Sequence, residues 1–307
     1  MMLDLSIILN PPEGLTVTTI MAVSFILGIL HGSTPDEHTW PITFSYSIGK
    51  YSTKGGMKAG FLFSLGFTMQ RAFLTTLGFL GLAAIFRAYD FEGPLSLIIG
   101  MVMAISGSYI LKGRYIHLPI DILMRGRAHH TANAERLQLH EAQLNDIPMK
   151  MPIVHGAIAG FGIGAYSTII IFLLTPQVPN IVYAPLPGLA YGLGTMVMQV
   201  MLGALFGRII KIKKLGEDSI KYLGRLTAGR TLYYGGIAFI ITGLIIMAFP
   251  ILEDIAISTG NPIPNLDSIG VETALVVFVV GIVGIGGLVK GIREVTSMTT
   301  NKPVSKD

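Results

Sequence analysis

Again and again along this chain, the residues stay apolar for as long as a helix needs to cross a lipid bilayer. A hydrocarbon core about 30 Å thick takes roughly 20 helical residues. Runs of that order lie near 16–34, 58–86, 94–111, 151–174, 187–209, 231–250 and 270–289, and the first continues in interrupted form to about 48. Only 13% of residues are charged, about half of what a globular domain in water carries. Most of the surface must therefore face something other than water. The 37 glycines suit membrane helices, where small residues let backbones approach closely. The expected fold class is all-α and integral to the membrane, with about seven transmembrane helices.

Charge sets the expected orientation. Lys50, Lys54 and Lys58 follow the first run, a basic group from Lys112 to Lys150 follows the third, Arg208 to Arg230 follows the fifth, and Lys290 and Arg293 follow the seventh. The connection from Thr175 to Leu186 has no charge, and Glu253, Asp254 and Asp267 follow the sixth run. Basic residues gather on the cytoplasmic side of membrane proteins, so the N-terminus is expected outside and the C-terminus inside; Arg71 and Arg87 are the exceptions. The localisation expected is the cytoplasmic (plasma) membrane, multi-pass. The basic cluster 208–230 is accounted for by orientation and anionic headgroups, and no nucleic-acid role is expected. The first fourteen residues carry Asp4 and Glu13 but no Lys or Arg, so a cleavable signal peptide is not expected.

The long connection divides the chain into a first membrane half (1–112), a cytoplasmic His-containing loop (113–149) and a second half (150–307) with a short tail. Three spans precede the loop, so the fourth enters from the opposite face to the first. That is the arithmetic of a 3+3 inverted repeat plus one helix, a common transporter plan. Leu30-His31-Gly32 echoes Val154-His155-Gly156 weakly.

The segment from Gly28 to Gly49, GILHGSTPDEHTWPITFSYSIG, breaks the first span. Gly32 is a helix terminator, and Thr34-Pro35-Asp36-Glu37 has the form of a capping box with proline at the first helical position. One helix is expected to end near His31 and another to begin at Pro35. On an unbroken helix His31 and His38 would stand about 10.5 Å apart along the axis, too far to share a metal bound at about 2.0–2.2 Å. The break lets His31, Asp36 and His38 converge on one ion, with Glu37 capping or supporting. Imidazole and carboxylate without sulfur suit Ni(II), Co(II), Zn(II) or Mn(II), and the chain has no cysteine at all. As simple packing histidines and first-turn acids these residues would be unremarked, but four ionisable groups within eight residues of a membrane break point to function.

This signature resembles the nickel/cobalt transporters of the NiCoT and NicO type, within the LysE-like transporter superfamily, which carry a His-x4-Asp-His motif in an early span. Here Glu37 stands between the aspartate and the second histidine. A later Leu-Gly-His in that family is replaced by Leu65-Gly66-Phe67, with Gln70 and Arg71 just beyond. The resemblance implies a permease, not an enzyme, carrying Ni2+ or Co2+ (Zn2+ or Mn2+ by the same donors) as cargo rather than as cofactor. It also implies a histidine-bearing cytoplasmic loop; His129 and His130 are candidates for passing metal to or from the pore.

His155 and Gln70 are the expected contributions from other helices. His155 precedes Gly156, Gly160, Gly162 and Gly164, which mark either a second break or close packing, and packing is preferred. Arg71, inside the second span, is expected to hold Asp36 or Glu37 or to remain a structural cation. Gln199 is read as interhelical glue and Glu272 as a residue of the outer mouth with no special role. No G-x-x-x-x-G-K-[ST] loop occurs, so the chain does not itself hydrolyse ATP. The expected partners are a divalent metal ion and the bilayer, and the plan is compatible with a homo-oligomer. The alternative is an intramembrane zinc-dependent hydrolase resembling the lipid amidases; against it, no late helix carries a His-x3-His pair and no H-E-x-x-H run exists.

Overall fold

The computed structural model describes residues 5–82, 91–111, 144–210 and 215–300. Its helices are α1 (Leu5–Leu9), α2 (Val17–Ser33), α3 (Trp40–Ile48), α4 (Thr53–Phe79), α5 (Glu92–Ile110), α6 (Met151–Ala159), α7 (Ala165–Thr168), α8 (Leu186–Ile209), α9 (Glu217–Ala248), α10 (Val271–Val276) and α11 (Gly287–Thr300). Wider π-turns extend α7 through Ile169–Leu174 and join α10 to α11 through Val277–Gly286. A two-stranded antiparallel hairpin, Ile257–Ser258 with Ser268–Ile269, closes the connection between α9 and α10.

Among the described residues, four helices are long and apolar enough to cross a membrane: α5, α8, α9 and the continuous stretch Val271–Thr296. Val17–Ser33 and Ala165–Gln177 are apolar but shorter, because each ends at an interruption. The fold is thus all-α apart from the small hairpin. Large apolar side chains such as Met69, Phe73, Ile105 and Leu205 point outward, as lipid-facing residues do. Helix α9 starts well before the apolar run at 231. Lys221, Arg225 and Arg230 fall within this helix, with Arg225 buried and paired to Asp146.

Helices meet through glycine. α8 lies along α4 and α2, α6 along α4, and α9 along α5. A methyl group added at Gly28 would overlap the Tyr191 carbonyl, and one at Gly194 that of Phe25; one at Gly156 would overlap the Phe63 carbonyl, and one at Gly66 that of Ile153. These two contacts are copies of each other: each residue of the α2–α8 contact (Phe25, Gly28, Tyr191, Gly194) has its counterpart (Ile153, Gly156, Phe63, Gly66) at the same separation in sequence. In the α5–α9 contact Gly93 and Gly243, and Gly100 and Gly236, meet reciprocally, and an added methyl at Gly107 would meet the Gly229 carbonyl. In the register of these contacts, Gly32 against Met198 answers to Gly160 against Gln70. His31 then corresponds to Ala159, and His155 to Leu27.

Candidate metal centre

The first break runs from Thr34 to Thr39. Thr34 closes α2: its amide donates to the Leu30 carbonyl at 3.0 Å, and its hydroxyl to the carbonyls of Leu30 and His31 at 3.1 and 3.2 Å. These are the last carbonyls of a helix, which lack an intrahelical donor. Thr34 is therefore a C-terminal cap and not the N-cap of the next helix, which starts only at Trp40 with Pro41 in its first turn. Pro35 sits in the turn. With no helix above it to cap, Glu37 instead places Oε1 2.9 Å from His38 Nδ1.

The turn brings Asp36, Glu37 and His38 together, each offering a ligand atom within 4.8 Å of the others'. His31 Nδ1 stands 3.7 Å from Asp36 Oδ2, on the helix side of the break. His38 Nε2 lies 3.1 Å from Glu92 Oε1, within ion-pair reach though not aligned as a hydrogen bond. Both nitrogens of His38 thus face carboxylates. All four break residues are buried, none more than 9% exposed. Asp36 Oδ1 and His31 Nε2 have no hydrogen-bond partner. A buried, unsatisfied polar atom costs about 1–3 kcal/mol, and more when charged; an acceptor oxygen left open beside Glu37 and His38 fits a cation.

These groups line a cavity of about 40 Å³ between the first break and a second one, Gly160–Gly164, that separates α6 from α7. His31 stacks on Phe67 at 5.6 Å and meets Tyr191 and Tyr166 edge-on or tilted. Arg71 lies over the Phe67 and Tyr191 rings at 4.7 and 5.5 Å and donates to the Gly162 carbonyl at 2.7 Å. Its other guanidinium nitrogens, Nε and Nη1, have no hydrogen-bond partner. A larger vestibule of about 210 Å³ adjoins the cavity and shares Glu37, Glu92, Asn265 and Glu272 with it; Glu253 and Asp267 add acid, and no basic residue lines it. The hairpin connection sits over this junction, with Asn265 Nδ2 donating to the Thr34 hydroxyl at 3.3 Å and the Tyr166 hydroxyl to the Pro264 carbonyl at 3.0 Å.

His155 does not line this cavity. Its Nδ1 is 2.9 Å from the Tyr46 hydroxyl and 3.1 Å from the Met151 carbonyl, while its buried Nε2 has no hydrogen-bond partner. Gln70 packs on Gly160 outside the cavity. His129 and His130 lie outside the described residues. Glu92 and Glu272 escaped the sequence reading because an acid at the first turn of an apolar span looks like an ordinary mouth residue. The signal was that each heads a long apolar run. Comparison with known proteins gave no match: no family model, no curated protein and no solved structure.

Proposed function

We propose that this protein is a secondary transporter for a divalent transition-metal cation, bound by Asp36, Glu37 and His38 with His31 supporting Asp36. The observation that carries this reading is the open Asp36 oxygen, buried beside Glu37 and His38 at an interrupted helix. Interrupted helices near the middle of a bilayer are where transporters hold ions, and irregular backbone at that depth is tolerated only against protein or a polar cavity. The resemblance to nickel/cobalt permeases makes Ni2+ and Co2+ the first cargoes to try, with Zn2+ and Mn2+ open to the same donors.

The same proposal includes seven spans, with the N-terminus outside and the C-terminus inside, and two halves related as inverted repeats. The reciprocal glycine contacts support the repeat, as do the paired breaks after α2 and α6. Cysteines introduced one at a time into this cysteine-free chain test the topology. Positions 175–186 and the hairpin connection should react with an impermeant maleimide from outside, and 144–150 only from inside. Labelling of 175–186 from the cytoplasmic face alone would overturn the span count.

Transport also carries a pH signature. His38 faces carboxylates with both nitrogens, and an imidazole can hold a metal only through an unprotonated nitrogen. Binding therefore releases protons, and acid opposes it. Metal flux into vesicles of the purified protein should fall as pH drops from 8 to 5, whichever metal is carried. Flux that is flat across that range, or absent for all four metals, would count against the site.

A further inference from the structure

We propose that Glu92 and Glu272 are also ligands of the transported cation, and that they make the site carboxylate-rich, of the class a hard divalent ion such as Mn2+ occupies. This rests on the transport reading and adds to it two residues and a cargo class. Glu92 opens α5 and Glu272 lies in the first turn of α10; neither is near the break in sequence. Both line the small cavity and the vestibule, as Glu37 does. Glu92 Oε1 reaches within 3.1 Å of His38 Nε2, and Glu272 shares the small cavity with Asp36, Glu37 and Glu92.

Acids at a helix start are common, stabilised by the helix dipole. That alone does not explain why two of them turn toward a cavity already holding Asp36 and Glu37. Like charges at such range repel strongly where water is scarce. Among the described residues, Arg71 is the one Lys or Arg lining the cavity, and it donates to the Gly162 carbonyl and lies over two aromatic rings. Four carboxyl groups share this small cavity, and the Asp36 oxygen left without a partner lies open to a cation there.

Donor chemistry then narrows the cargo. Carboxylates favour Mg2+, Ca2+ and Mn2+, whereas imidazole favours the transition metals. Four carboxylates around one directly placed imidazole, with no thiolate, overlap at Mn2+. Ni2+ still binds tightly, as the general order of divalent affinities requires, but it draws less of its binding from the added carboxylates.

The test is Mn2+ binding to the purified full chain, read from loss of the free-ion EPR signal, with Ni2+ affinity measured in parallel by calorimetry. Glu92→Gln and Glu272→Gln keep size and shape while removing charge. Each should weaken Mn2+ at least tenfold and Ni2+ by a smaller factor, so that the Mn2+ to Ni2+ affinity ratio falls. Ser96→Ala, on the vestibule wall, should change neither. If both glutamine variants bind Mn2+ within twofold of wild type, or lose the two metals in equal proportion, the carboxylates are structural and this inference fails while the transport reading stands. If the wild-type protein binds neither metal, the transport reading itself fails.

Discussion

Vesicles containing Asp36→Asn or His38→Ala should take up divalent metal no faster than empty vesicles, a fall of at least about 100-fold given what even supporting residues cost a metal site. Asp36→Asn leaves the shape of the break intact but exchanges an open anionic oxygen for a neutral amide. His38→Ala removes the one imidazole within 4.8 Å of both Asp36 and Glu37. Glu37→Gln is expected to fail nearly as badly. A capping residue would tolerate glutamine, but the carboxylate here contacts His38 and belongs to the ligand cluster. His155→Ala and Gln70→Ala provide the contrast, since neither side chain lines the cavity, and both should keep substantial flux if they fold. Wild-type transport by Asp36→Asn would remove the central claim. Silent vesicles in which His155→Ala is as dead as His38→Ala would move the site elsewhere.

Gly28→Ala and Gly156→Ala should each destabilise the bundle sharply, to the point of losing a monodisperse peak on heating in detergent. Added methyl groups at these positions would overlap the carbonyls of Tyr191 and Phe63. Backbone atoms cannot rotate aside as a side chain can, so the helix axes must separate along their whole contact. Overpacking costs about 1–3 kcal/mol at an ordinary core site, and a backbone clash belongs at the upper end. In a bilayer little else holds the helices together, since lipid tails are as apolar as the interface. Gly281→Ala and Gly287→Ala are the controls, because an added methyl group there meets nothing within 4 Å. Melting curves by fluorescence-detected size exclusion decide the matter. Gly28→Ala melting together with Gly281→Ala would mean that the α2–α8 contact is looser than described.

Some of this was legible in the residues themselves. Long apolar runs made helices because backbone groups in a membrane have no other way to be satisfied. Gly32, Pro35 and the polar string between them announced an interruption, since helix termination is local chemistry. From that interruption the residues suggested a group of His31, Asp36 and His38, whereas the turn gathers Asp36, Glu37 and His38 and leaves His31 on the helix side. Other features could not be read locally. Whether Thr34 caps the helix behind it or the one ahead depends on where the chain turns, and the structure gives it to α2. The partner of Arg71, the attachment of His155 to Tyr46, and the arrival of Glu92 and Glu272 all depend on which helices are neighbours. A soluble helix advertises its buried face by alternating apolar and polar sides. A membrane helix is apolar toward lipid as well as toward its neighbours, so Met69 and Phe73 face outward from the same helix that buries Gln70 and Arg71. The sequence by itself determined that the chain forms apolar helices with a polar interruption in the first. Only the tertiary structure decided the register in which glycine backbones meet, and through it which distant acids stand beside the break.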